Sequence, residues 1–159
     1  MRHCPGLEKL TLYGFTSLSD SSLASISTLN VLSELNLSSG DSFSSAGVQS
    51  LIQARGNLEV LKIDVSEGSV SDTLRCLGTY CPHLRVLHTA MDATVTLTAV
   101  KALVQGCPLL EELNIGDYLS NDDEVIAAIA EFCPRLRCIN LGMVYLMKVL
   151  SLYPVAAPT

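Results

Sequence analysis

Charged side chains are scarce in this sequence: they make up 16% of the 159 residues, and only ten residues are basic. The net charge is −6, and the basic residues are scattered singly, so no cationic patch for nucleic acid or an anionic membrane surface is predicted. The start, Met1-Arg2-His3-Cys4-Pro5, has no apolar run, and we expect no signal peptide. Lys148 and two prolines divide the stretch 138–159, and the segments on either side of Lys148 are too short to span a bilayer. We therefore expect a cytoplasmic or nuclear protein with reduced thiols and no membrane contact.

Catalytic motifs are also missing. The sequence has no G-x-S-x-G elbow, no P-loop and no H-E-x-x-H, and among 18 serines some lie near a histidine by chance. The acidic run Asp122-Asp123-Glu124 lies where a helix is expected to begin, which is more typical of a helix start than of a metal site. We predict no catalytic residues, no cofactor and no metal. An enzyme is the minority alternative, and a hydrolase screen that stays silent across substrate classes would dispose of it.

The sequence is instead rich in leucine, with 27 residues, and it repeats. A phrase of the form Leu-x-x-Leu-x-Leu, in which Ile or Thr can replace the second or third leucine, recurs at intervals of 25 or 26 residues. Its opening residues are Leu7, Leu32, Leu58, Leu84, Leu110 and Leu136. The alternation within each phrase predicts a strand. Thr89 is the one polar residue at an anchor position.

A second apolar pair with helical spacing follows each of the first five phrases, beginning with Leu23 and Ile26. Polar residues ahead of these pairs are expected to cap the helices, and they are Asp20, Ser45, Ser71, Asp122-Asp123 and, more weakly, Thr96. A unit this short cannot bury its own apolar faces, so the units must stack. The predicted fold is α/β: a right-handed solenoid in a horseshoe arc, with a parallel sheet on the concave side and helices on the convex side.

The phrase Cys-Pro-x-Leu opens four of the six units, at Cys4, Cys81, Cys107 and Cys133. In this the sequence resembles the cysteine-containing subclass of leucine-rich repeat proteins, as found in the substrate-binding half of F-box proteins. The resemblance implies a protein-binding module, the substrate-recognition part of an SCF-type ubiquitin ligase. It implies a protein ligand on the concave face, and ligase subunits recruited through a segment upstream of these residues. The alternative is a general cytosolic scaffold or inhibitor without a role in ubiquitin-dependent degradation.

The cysteines are expected to be structural. The four that precede opening leucines occupy one position of the repeat, so they should be buried, and those of consecutive units should form a column rather than a tetrahedral site. Cys76 should be buried as well. Cys138 lies in the strand phase that faces the concave side and is the one candidate for an exposed thiol.

The residues between the strand anchors should face the concave side. They mix amphipathic, amide and oppositely charged side chains, which suits a polypeptide better than a polyanion. The candidate protein-binding residues are Lys9, Thr11, Tyr13, Glu34, Asn36, Lys62, Asp64, His88, Glu112, Asn114 and Asn140. Six strands about 4.8 Å apart give a concave sheet wall with an area of roughly 400–500 Å². A standard protein partner covers a larger area, about 800 Å².

The predicted organisation is a six-unit array over residues 1–141 and a divergent tail or irregular cap over 142–159. Met1 precedes the first Cys-Pro by two residues, so we expect no capping segment and no F-box-like segment within these 159 residues. We also expect the isolated chain to self-associate through an uncovered first unit around Leu10, Leu12, Leu23 and Ile26.

Overall fold

Strands and helices alternate along the whole described part of the chain. The computed structural model describes residues 4–15, 17–37, 43–65, 67–89, 95–116 and 123–141. The strands are β1 (Lys9–Thr11), β2 (Glu34–Leu37), β3 (Val60–Ile63), β4 (Val86–Thr89), β5 (Glu112–Asn114) and β6 (Cys138–Asn140). The helices are α1 (Asp20–Ile26), α2 (Ser45–Ala54), α3 (Val70–Tyr80), α4 (Leu97–Gly106) and α5 (Asp123–Phe132). The predicted tail, 142–159, lies outside the described residues.

The strands form one six-stranded sheet in the order β1-β2-β3-β4-β5-β6, and every neighbouring pair is parallel. The register follows the repeat, because Leu10 pairs with Leu35, Leu35 with Leu61 and Leu61 with Leu87. Consecutive helices also lie against each other, from α1 to α5. The predicted α/β class with a parallel sheet is confirmed.

The core lies between the sheet and the helices. In β2, β3 and β4 alternate residues are buried and half-buried, and the buried set joins the helix anchors in one apolar cluster. Thr89, the polar anchor, is buried as well. The expectation of an uncovered first unit is wrong for two of its four residues, since Leu23 is only 1% exposed and Ile26 only 7%. Helix α1, which carries both residues, lies against α2, whereas Leu10 and Leu12 are partly buried and pack against the core.

A third apolar position completes the core, and the sequence interpretation missed it. Phe43 is the largest fully buried side chain, and it lies eleven residues after the opening Leu32. Leu18 and Val95 have the same offset from Leu7 and Leu84, and both pack into or against the core. This position lies two residues ahead of the first residue of α1, α2 and α4.

The caps of α1, α2 and α3 are Ser19, Ser44 and Ser69, one or two residues earlier than predicted, whereas Thr96 caps α4 as predicted. The hydroxyl oxygens of Ser44, Ser69 and Thr96 accept hydrogen bonds from backbone N–H groups of α2, α3 and α4. Asp20 and Ser71 serve the next unit instead. The Asp20 carboxylate accepts from the Ser44 N–H at 3.0 Å and from the Ser44 hydroxyl at 2.6 Å. The Ser71 hydroxyl accepts from the Thr96 N–H at 3.0 Å. These residues therefore tie one helix start to the following one.

Helices α3 and α4 approach most closely at glycine. A Cβ atom at Gly106 would overlap the backbone of Gly78, and one at Gly78 would overlap the carbonyl of Ala102. No flexible side chain lies between these backbones, so only glycine permits the observed separation.

The cysteine prediction is correct with one exception. Cys76, Cys81, Cys107 and Cys133 are buried and Cys138 is exposed, but Cys4 is exposed too, because no described unit lies in front of it. The three buried thiols that precede opening leucines, Cys81, Cys107 and Cys133, form a column. The Cys107 thiol lies 3.3 Å from the carbonyl of Cys81, and the Cys133 thiol lies 3.9 Å from that of Cys107.

Candidate functional site

The sheet face turned away from the helices carries two rows of side chains. The first row is Lys9, Glu34, Val60, Val86, Glu112 and Cys138, and the second is Thr11, Asn36, Lys62, His88, Asn114 and Asn140. Every member is half-buried or exposed, while the strand residues between the rows pack towards the core. These two rows, together with Tyr13 and Asp64 just beyond the strand ends, are called the exposed sheet face below.

All eleven predicted residues lie on this face. Nine of them belong to the two rows, and the other two follow the strands: Tyr13 is 63% exposed and Asp64 is half-buried. The structure thus brings together the residues that the alternation selected. Their role in protein binding stays a prediction.

The first two residues of the first row, Lys9 and Glu34, form an ion pair. The Lys9 ammonium lies 2.7 Å from the Glu34 carboxylate, and this hydrogen bond and charge raise the pKa of Lys9. Nearby, the Asn36 amide donates to the Tyr13 hydroxyl at 2.9 Å and holds the aromatic ring at the rim.

The middle of the first row is apolar. Val60 and Val86 are adjacent, half-buried and flanked by Glu34 on one side and Glu112 on the other. They line a shallow depression of about 300 Å³, which also includes Lys62. The depression therefore combines the two valines with charged and amide side chains.

His88 lies beside this depression, between a cation and an anion. Its Nε2 is 3.5 Å from the Glu112 carboxylate, and burial together with the charge of Lys62 lowers its pKa, which Glu112 only partly opposes. The imidazole is consequently neutral at pH 7, so it gives Glu112 a polar neighbour without a full positive charge.

Asn114 also has a structural role. Its side-chain oxygen accepts a hydrogen bond from the N–H of Gly116 at 3.2 Å, and Gly116 has a φ of 67°. The amide thus closes the turn that leaves β5, and only part of its hydrogen-bonding capacity faces outward.

A third charged row at the strand starts escaped the sequence interpretation. The Arg85 guanidinium makes two contacts with Glu111, at 3.0 and 3.2 Å, and lies 3.6 Å from Glu59. Arg85, Arg137 and Arg135 lower the pKa of Glu111. The signal was present in the sequence, because the residue after each opening leucine alternates in charge over the last four units.

The part of the chain that the structure describes contains no group of three His, Cys, Asp or Glu residues able to hold a metal ion. Of the acidic run, Asp122 is outside the described residues, Asp123 and Glu124 lie in the first turn of α5, and Glu124 pairs with Lys101 at 2.8 Å. No helix within the described ranges has the length and hydrophobicity of a membrane span.

Comparison with known proteins adds no assignment, since no family model matches the chain and no curated protein gives a significant match.

Proposed function

We propose that this chain is a leucine-rich repeat module that binds a protein ligand on its exposed sheet face. In this proposal the stacked units form a right-handed solenoid, with the sheet on the concave side and the helices on the convex side. The unbroken parallel register over six strands and the column of buried thiols support this architecture.

The observation that carries the binding proposal is the pair of side-chain rows. Twelve side chains in register on six strands combine an apolar centre, amides and charges of both signs, and all of them are at least partly exposed. Interfaces between proteins have this mixture of an apolar core and a polar rim. A ligand bound only to the wall of roughly 400–500 Å² would bind weakly, so we expect a tight partner to contact the rims as well.

A matched pair of charge reversals tests the surface. Lys62→Glu changes the exposed sheet face, and Lys101→Glu makes the same change on α4, on the helix side. The two lysines are comparable because both are half-buried. We expect Lys62→Glu to change the yield of the native partner that co-purifies from cells, and Lys101→Glu to leave that yield intact. The opposite pattern, or equal loss in both variants, would refute binding at the sheet face.

We further propose, from the resemblance, that the module selects substrates for a ubiquitin ligase. The test is co-purification of the native gene product with Skp1-like and cullin subunits. Recovery of a sheet-face partner with neither subunit would refute the ligase role and favour the scaffold or inhibitor role instead.

A further inference from the structure

An apolar pair and a carboxylate are neighbours in the first row of the exposed sheet face. Val60 and Val86 form the apolar centre of the first row, and Glu112 is the next side chain in that row. The Glu112 side chain is 46% exposed, and within the described residues its one close partner of basic type is the neutral imidazole of His88 at 3.5 Å. An apolar contact surface is thus followed by an accessible carboxylate.

The carboxylate on the other side of the valines is different. Glu34 is 35% exposed, and Lys9 already occupies it at 2.7 Å. A ligand cation that approached Glu34 would have to displace this lysine, whereas one that approached Glu112 would not. The face is therefore asymmetric about its apolar centre.

The spacing of these groups matches an extended chain. Strands lie about 4.8 Å apart, so the midpoint of the two valines is roughly 7 Å from Glu112 along the row. Alternate side chains of an extended polypeptide are also about 6.6–6.8 Å apart on the same side. A chain laid across the strands can thus seat one side chain on the valines and the next but one at Glu112.

We propose that the ligand segment is an extended peptide with an aliphatic residue over Val60 and Val86 and a lysine or arginine two positions away at Glu112. This inference rests on the proposed protein-binding function and specifies its ligand. Lys62 adds to the selectivity, because its positive charge at the depression disfavours a second basic residue there. The peptide class is thus aliphatic-x-basic, presented in an extended conformation.

The test uses a random library of twelve-residue peptides displayed on phage and selected on the complete chain. Enriched peptides are expected to carry the aliphatic-x-basic spacing, in either chain direction. Synthetic copies should bind Glu112→Gln about three- to tenfold more weakly than the unaltered chain, as expected for one partly exposed ion pair. Replacing both valines with serine should weaken binding about tenfold or more.

Two controls match the Glu112→Gln change. Glu34→Gln alters the carboxylate that Lys9 occupies, and Glu131→Gln alters an exposed carboxylate on α5. Both should change peptide affinity by less than about twofold, because neither group contacts the basic residue. A fresh selection on Glu112→Lys should replace the basic residue of the peptides with an acidic one, which a merely structural role of Glu112 would not produce.

The outcomes separate this inference from the function on which it rests. Peptides that bind the chain and lose binding when both valines are replaced with serine, but lack the basic residue or ignore Glu112→Gln, would overturn the inference and leave the binding function standing. A selection that yields no peptide sensitive to replacement of both valines would overturn both.

Discussion

Replacing Gly106 with alanine tests the stacking of α3 on α4 with a clear difference in sign. Gly106 is the last residue of α4, and the nearest atoms to an added Cβ are the carbonyl oxygen, carbonyl carbon and Cα of Gly78. All three belong to the backbone, so the helices would have to move apart. That movement would also pull the Cys107 thiol from the carbonyls of Leu77 and Cys81, which lie 3.6 and 3.3 Å away.

The expected cost follows from two opposing terms. Overpacking of a close contact costs about 1–3 kcal/mol, whereas alanine in place of glycine returns at most about 1 kcal/mol in a helix interior and less at its end. We therefore expect Gly106→Ala to lower the free energy of unfolding by about 1–2 kcal/mol. Helix propensity alone predicts the opposite sign.

Urea unfolding of the complete chain, followed by circular dichroism, measures this difference. Gly6→Ala is the control, because a Cβ there meets nothing within 4 Å, and it should change the unfolding midpoint little. A Gly106→Ala chain as stable as the original, or more stable, would refute the close approach of the two helices.

Three further predictions concern the titratable side chains. A maleimide should label the two exposed thiols of the folded chain rapidly and the four buried thiols only after unfolding, and mass spectrometry that finds a third fast thiol would contradict the burial. Burial raises the pKa of Cys81 to about 12 and that of Cys133 to about 11, from 9.0. The contribution of these protonated thiols to stability is therefore complete below about pH 9 and declines as pH rises towards 11–12. Between about pH 8 and pH 10.5, urea titrations should show a smaller loss of stability for a chain with both residues replaced by alanine than for the original chain. The His88 imidazole should titrate below 6.5 by NMR. Glu112→Gln should lower its pKa further and Lys62→Gln should raise it, and the reverse order would disprove the assigned surroundings.

The strands and their exposed residues could be predicted because both follow from one local rule. Alternation and the interval of 25 or 26 residues fix which side chain of each strand lies beside which, and the register of Lys9 with Glu34 and of Lys62 with His88 follows directly. The choice of anchors tolerates a polar replacement, as Thr89 shows, because neighbouring anchors keep the phase.

The features that the sequence left unpredicted depend on contacts between units. Asp20 was expected to cap its own helix, but its carboxylate binds the Ser44 backbone and hydroxyl of the next unit. Cys4 occupies the same repeat position as the buried thiols, yet burial needs a unit in front of it, and none is described there. The pairing of Arg85 with Glu111 is also a contact between units, although the alternating charges that permit it are present in the sequence.

Photo-crosslinking in cells tests most directly whether the exposed sheet face binds a protein. A benzophenone amino acid is placed at Thr11 or Lys62 on the sheet face, or at Lys101 or Gln105 on α4 as controls. The account predicts that the two sheet positions give adducts with the same partner and that the two helix positions give none with it. Adducts with that partner from α4 alone, or in equal yield from both sides, would contradict the account.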